Sequence, residues 1–118
     1  MELKFFNPSE STSIAKVTVH RSGKMGFSKG ASDLLKIDEL KYCKFGLNDE
    51  QQLFIVMFGD DVEGTFNIAK AGEYYYVTAR GLLSDLGIDY KAKDTVIFDL
   101  LKTDEENIFR MDKRVIKK

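Results

Sequence analysis

The sequence predicts a mainly β fold with short helices (α+β), in which one hairpin–helix–hairpin unit occurs twice. Short segments of alternating apolar and polar residues are separated by turn residues, as in antiparallel strands. The order of these segments in the first half of the chain returns in the second half. The chain has 118 residues, of which 43% are hydrophobic and 31% charged. This length and composition are typical of one globular domain with one core, so we expect a single domain over residues 1–118.

The first unit is predicted over residues 15–58 and begins with a hairpin. Residues 17–19 alternate in polarity, Ser22-Gly23 is a typical tight turn, and residues 25–27 alternate again. The only proline, Pro8, and several serines precede this hairpin. That composition favours a leader or an edge strand over residues 1–14.

A short helix and a second hairpin complete the first unit. Ser28 is a typical N-cap for a helix that ends near Lys36. The apolar residues of this segment are spaced by three and four positions, which places them on one helical face: Ala31, Leu34 and Leu35. Two apolar strands joined by a polar turn are then predicted: Tyr42–Leu47, the turn 48–51, and Leu53–Phe58.

The second unit is predicted over residues 65–112, after an acidic linker at 59–64. Gly72 follows Gly23 by 49 residues, and Ile88 follows Ile37 by 51 residues, so two additional residues fall within the strand around Tyr74-Tyr75-Tyr76. The later segments complete the same order: a strand around 96–100, a turn at 103–106 and a last strand at 108–111. Residues 113–118 form a separate basic tail.

Two such units are expected to pair around a pseudo-twofold axis and share one core. A hairpin with one short helix cannot bury its apolar face alone, whereas two copies can cover each other. The pairing predicts a monomer that contains an internal pseudo-dimer. Exposed strand edges leave assembly into a homo-oligomer open.

Composition and termini favour a cytoplasmic protein without a membrane segment. Cys43 is the only cysteine and therefore forms no disulfide within the chain, which is typical of a reducing compartment. The N-terminus has no basic segment followed by a long apolar one, as a secretory signal would. The longest apolar run, Leu53–Phe58, is far shorter than the roughly 20 residues that span a bilayer.

No spacing of residues indicates a catalytic, cofactor or metal site, and we predict that the protein is not an enzyme. His20 is the only histidine, and with Cys43 it is insufficient for a four-ligand zinc site. The acidic linker lacks the alternating pattern of a calcium loop. Carboxylates are numerous, but their spacing singles out no acid–base pair.

Tyr74, Tyr75 and Tyr76 lie near two cations and suggest a stacking platform for single-stranded nucleic acid. Strand alternation argues against this interpretation, because it sends Tyr75 to the face opposite the other two and commits one face to the core.

Charge is segregated along the chain although the net charge is only −1. Residues 11–32 carry no Asp or Glu, and their four formal charges are positive: Lys16, Arg21, Lys24 and Lys29. Residues 33–66 carry eight acids against three lysines. The basic hairpin is either a surface that contacts phosphates or a solvated strand edge guarded by lysines. The basic tail is either a phosphate-seeking arm or a solubilising end.

The stretch Gly23–Ile37 resembles the AbrB type of swapped-hairpin domain, found in bacterial transition-state regulators, MazE-type antitoxins and the tandem-repeat MraZ regulators. The family pattern is a glycine-led strand, a three-residue step onto a short helix, and then Leu-Gly-Ile. The first half follows it without a gap as Gly23-Lys24-Met25-Gly26-Phe27-Ser28-Lys29-Gly30-Ala31-Ser32-Asp33-Leu34-Leu35-Lys36-Ile37. The second half retains Gly72 and Leu86-Gly87-Ile88.

The resemblance implies a pseudo-twofold swapped-hairpin β-barrel that regulates transcription by binding double-stranded DNA. Family members contact DNA through arginines on the hairpin and on the short helix. This chain has Lys24 and Glu73 at the hairpin position, and Ser32 and Leu83 at the helical position. Lysine meets a phosphate as a point charge but lacks the fork that reads guanine. We therefore expect phosphate contacts through the basic hairpin, with a protein–protein interaction module on the same scaffold as the alternative.

Overall fold

A computed structural model describes residues 1–3 and 15–117, so most of the predicted leader or edge strand at 1–14 lies outside the described residues. The described part contains nine strands and two helices: β1 Lys16–Val19, β2 Lys24–Phe27, α1 Lys29–Leu35, β3 Tyr42–Leu47, β4 Leu53–Phe58, β5 Phe66–Asn67, β6 Ala69–Ala71, β7 Tyr74–Thr78, α2 Arg80–Asp85, β8 Thr95–Lys102 and β9 Ile108–Ile116. The predicted mainly β class is confirmed.

All nine strands form one antiparallel sheet that curls into a nearly closed barrel. The strand order is β5-β3-β4-β9-β8-β1-β2-β7-β6. The two end strands, β5 and β6, are separated along the chain by Ile68 alone, which brings the two edges of the sheet together. Closure of this kind removes most of the free strand edge.

Four hairpins supply the sequential pairings: β1–β2, β3–β4, β6–β7 and β8–β9. The remaining pairings join the two halves of the chain: β1–β8, β3–β5, β2–β7 and β4–β9. The bounds predicted for β3 and β4 are confirmed, as is the turn between them. Neither half forms a barrel without the other.

Two boundaries differ from the sequence-based expectation. The first strand of the second half is interrupted at Ile68, whose buried side chain points into the core while its N–H donates to the Lys41 carbonyl at 2.9 Å. The predicted tail at 113–118 is also not separate, because residues as far as Ile116 continue β9 and pair with β8. The sequence-based boundary at residue 113 follows a change in charge. The strand pairing with β8 nevertheless continues through the exposed Val115 and Ile116.

One hydrophobic cluster fills the barrel and includes the buried faces of both helices. It contains the alternating residues predicted for the core, such as Val17, Val19, Met25 and Phe27. Within the described residues no polar or charged side chain is buried. The core is therefore built from apolar contacts, and the polar side chains of the strands lie on the outer faces of the sheet.

The predicted start and end of α1 are confirmed. The Ser28 hydroxyl accepts a hydrogen bond from the Ala31 N–H at 3.1 Å, as an N-cap does. The helix ends at Lys36, which adopts a left-handed conformation with φ 54°. The helix is held by its cap and its apolar face, since no acidic residue lies in its first turn and no basic residue in its last.

In the part of the chain that the structure describes, no helix has the length and apolar character needed to cross a membrane; α1 has seven residues and α2 has six.

Candidate nucleic-acid interface

The outer face of β1, β2 and β7 carries the polar members of the alternating pattern. In β1 and β2 each inward residue is buried, and the outward residues between them are partly exposed. The register aligns one outward residue from each strand, since Thr18 pairs with Gly26 and Gly26 pairs with Tyr76. Gly26, at the centre of this row, has no side chain and therefore leaves a depression in the sheet surface between Thr18 and Tyr76.

A groove of about 720 Å³ lies on this face. Its lining brings together three of the four predicted phosphate-contacting residues, Lys16, Lys24 and Lys29. The other lining residues are Thr18, His20, Gly26, Phe27, Ser28, Ala71, Tyr74, Tyr75 and Tyr76. Among the described residues that line it there is no Asp or Glu, so the formal charge of the groove is +3 with His20 neutral.

The lysines of the groove are held only weakly. The Lys24 ammonium lies 4.8 Å from the ring centroid of Tyr76, within the range of a cation–π contact. Lys29 lies 3.9 Å from Asp33 one helical turn away, and both side chains are more than two-thirds exposed. An ion pair this exposed contributes little, so the Lys29 ammonium can exchange Asp33 for a phosphate at small cost.

Gly26 makes room for the imidazole of His20. A Cβ on Gly26 would lie 2.8 Å from His20 Nε2, closer than such contacts allow. The His20 backbone N–H donates to the Lys24 carbonyl at 2.8 Å, which fixes the residue at the end of the hairpin ladder. His20 is therefore an exposed residue next to the turn, with its ring lying over the glycine.

Arg21 is exposed on the β1–β2 turn and does not line the groove. It borders a separate cleft of about 260 Å³ together with Lys93 and Asp94. Of the four predicted residues, Arg21 is thus the one that the fold separates from the others.

The turn itself is fixed by Arg80 at the start of α2. Arg80 Nε donates to the Ser22 carbonyl at 2.8 Å. Gly23 adopts φ +86°, and a Cβ there would collide with Arg80 Cγ. The second half of the chain therefore holds the basic hairpin of the first half in position.

The positions that the resemblance assigns to arginines differ between the two halves. The Ser32 hydroxyl donates to the Ser28 carbonyl at 3.0 Å within α1. Leu83, at the corresponding position of α2, is completely buried. Glu73 is exposed in the β6–β7 turn. Among these family positions in the described residues, a positive charge stands only in the hairpin of the first half, at Lys24.

Asp33, Asp38 and Glu73 line an adjoining cleft of about 690 Å³ that shares Lys29 and Tyr74 with the groove, whereas two other acidic groups lie farther from it. Asp104, Glu105 and Glu106 line a cleft of about 400 Å³ between the β8–β9 turn and α1. In the acidic linker, Asp61 Oδ1 accepts a hydrogen bond from the Thr65 hydroxyl at 3.0 Å. No group of three or more His, Cys, Asp or Glu side chains within the described residues has the geometry of a metal site.

Cys43 lies in the core, with no exposed surface. Burial raises the pKa of its thiol from 9.0 to about 12, which disfavours the nucleophilic thiolate. His20 is exposed on the outer surface, so the two residues form no Cys–His pair.

Tyr74 and Tyr76 were not predicted to belong to this surface. Alternation correctly separates them from Tyr75, which packs against the core. The sequence alone does not show this placement, because it depends on the pairing of β7 with β2, which puts Tyr76 beside Gly26 and Lys24. Strands from different halves of the chain meet here, and alternation within one strand does not reveal its neighbour.

Comparisons of this chain with protein-family models, with curated proteins and with solved structures find no match.

Proposed function

We propose that the chain binds DNA through its phosphates on the groove of β1, β2 and β7, and that it acts as a regulatory protein on a duplicated swapped-hairpin scaffold. The observation that carries the proposal is the convergence of Lys16, Lys24 and Lys29 on one groove whose described lining contains no carboxylate. Positive potential concentrated in a concave surface attracts a polyanion even when net charge is close to zero.

Strand pairing supports the duplicated scaffold. Exchanging the halves converts β1–β2 into β6–β7 and β3–β4 into β8–β9. The same exchange converts β1–β8 into β3–β5, and it leaves β2–β7 and β4–β9 unchanged. Both helices are followed by a left-handed residue, Lys36 and Gly87, at a separation of 51 residues. A pseudo-twofold axis through the β2–β7 and β4–β9 pairings accounts for all these correspondences.

The scaffold explains why only one half would contact DNA. At the hairpin turn and on the helix, the second half has the exposed Glu73 and the buried Leu83. One basic hairpin per chain gives a small electrostatic footprint, so specific high-affinity recognition by one chain is not expected. Several chains along one DNA molecule would multiply the number of phosphate contacts.

The salt dependence of binding tests the proposal. If each of the three lysines neutralises one phosphate, the logarithm of the association constant falls with the logarithm of salt concentration with a slope of about −2.7, or roughly sixfold per doubling of salt. Fluorescence anisotropy with labelled mixed-sequence duplex DNA measures this slope. Lys16→Gln and Lys24→Gln should each weaken binding and reduce the magnitude of the slope by about 1.

Lys102→Gln is the matched control, because Lys102 is exposed and borders the acidic cleft instead of the groove. It removes the same charge and should change affinity much less. Equal losses for Lys24→Gln and Lys102→Gln would show that net charge alone drives binding and would refute the groove. Absence of binding to both duplex and single-stranded DNA at low salt would refute the function itself.

The alternative function is a protein–protein interaction module on the same scaffold. It is favoured by the acidic cleft at the β8–β9 turn and by the loss of arginine at every position of the family pattern considered above. In that case the chain does not bind DNA at any salt concentration of the titration. A basic protein partner then docks on the acidic cleft.

A further inference from the structure

We infer that the groove binds unpaired nucleotides, with bases stacked on Tyr74 and Tyr76, and therefore prefers single-stranded to double-stranded DNA. The inference rests on the proposed function and adds the form of nucleic acid. The evidence for it is the pair of tyrosine rings, Tyr74 and Tyr76, in the groove, because phosphate contacts through the lysines give these rings no role.

The two tyrosines present their rings on the outer face of β7. They are two residues apart on one strand, so their Cα atoms are about 6.6 Å apart along it. Tyr74, the first residue of β7, is 74% exposed and has its paired residue, Ala71, on the β6 side. Tyr75, between them, turns inward and packs against the core. The Tyr74 ring is the more accessible of the two, since Tyr76 is half-buried and has the Lys24 ammonium 4.8 Å from its ring centroid.

The residues beside the rings are small. Tyr76 pairs with Gly26 on one side and with Ala69 on the other, while Tyr74 pairs with Ala71. Bulky neighbours would cover the ring faces, whereas the alanines on the β6 side add little side chain there. The imidazole of His20 lies over Gly26 and adds a third flat ring next to Tyr76.

The cations lie where the backbone of a stacked strand would run. The Lys24 ammonium is 4.8 Å from the Tyr76 centroid, and Lys16 and Lys29 line the same groove as both tyrosines. Base stacking on aromatic rings combined with cations for the phosphates is the general mode of binding single strands. A duplex keeps the faces of its bases inside the stack and offers these tyrosines only its edge.

Three oligonucleotides of equal length separate stacking from phosphate contacts: an oligothymidylate of 12 nucleotides, its duplex with oligoadenylate, and a 12-unit abasic strand that has phosphates without bases. We expect the oligothymidylate to bind at least about tenfold more tightly than the abasic strand at the same salt. It should also bind more tightly than the duplex.

Substitution of the rings provides the second measurement. Tyr74→Leu and Tyr76→Leu should each weaken oligothymidylate binding by roughly 5- to 150-fold, the range for loss of one stacked base. Binding of the abasic strand should remain unchanged. Tyr74→Phe and Tyr76→Phe keep the ring and should retain the affinity of the natural chain, and circular dichroism reports that each variant is folded.

The outcomes distinguish this inference from the proposed function. Equal affinity for oligothymidylate and abasic strand, with no effect of the leucine variants, would overturn stacking and leave phosphate binding in place. Tighter binding of the duplex than of the single strand would also overturn it. If none of the three probes binds at low salt, the proposed function fails and the inference fails with it.

Discussion

Substitution of Gly23 by alanine tests whether Arg80 fixes the basic hairpin. Gly23→Ala is expected to lower the free energy of unfolding in two ways. An L-residue at φ +86° is strained by about 1–2 kcal/mol, and loss of backbone freedom in the unfolded chain offsets about 0.4–1 kcal/mol of this. The new Cβ would also collide with Arg80 Cγ, which displaces the side chain and its hydrogen bond to Ser22. That bond is worth about 1 kcal/mol.

Gly23→Ala should therefore lower the free energy of unfolding by about 2 kcal/mol. Gly72→Ala is the matched control, because Gly72 also has a left-handed φ of +63°, but no neighbouring atom lies within 4 Å of the position that an added methyl group would occupy. It should cost only the backbone part, about 1 kcal/mol. Equilibrium urea unfolding followed by tyrosine fluorescence measures both, since the chain has five tyrosines and no tryptophan.

A double-mutant cycle with Arg80→Ala isolates the contact. Arg80→Ala alone should cost about 1 kcal/mol, and the double variant about 2 kcal/mol, because the clash is absent once Arg80 is removed. The double variant is then roughly 1 kcal/mol more stable than additive single effects give. Additivity within about 0.5 kcal/mol, or equal costs for Gly23→Ala and Gly72→Ala, would refute the role of Arg80.

Two further predictions concern the cap and the core. Ser28→Ala should lower the free energy of unfolding by about 1–2 kcal/mol in urea unfolding, because its hydroxyl accepts hydrogen bonds from the backbone N–H groups of Ala31 and Lys16; an unchanged midpoint would contradict this role. The folded-state pKa of Cys43 is raised to about 12, so its contribution to stability is complete below pH 9 and falls by about 1.4 kcal/mol per pH unit from there to about 12. Urea titrations at several pH values should show a steeper alkaline loss for the natural chain than for Cys43→Ala, and parallel losses would contradict a buried thiol.

The local elements were predictable because they depend on neighbours along the chain. The strand bounds of β3 and β4 follow from two apolar segments joined by a polar turn, and the start of α1 follows from the capping preference of Ser28. In each case the determining residues lie within a few positions of one another.

Boundaries were less predictable where long-range pairing decides them. Residues 113–116 are charged enough to suggest a free tail, yet β8 is long enough to pair with them, and the ladder extends β9 to Ile116. The interruption at Ile68 arises because one short segment serves both edges of the sheet, pairing with β3 on one side and β7 on the other. β7 follows directly in the β6–β7 hairpin, whereas β3 lies more than 18 residues earlier along the chain.

The candidate site divides in the same way. The sequence by itself determined the class of fold, the apolar core and the segregation of positive charge into the first hairpin, because composition and periodicity are properties of each segment. Only the tertiary structure decided that Lys16, Lys24 and Lys29 share a groove with Tyr74 and Tyr76 while Arg21 stays outside it. The physical reason is the β2–β7 pairing, which joins strands about 50 residues apart and sets the side chains on one face by register.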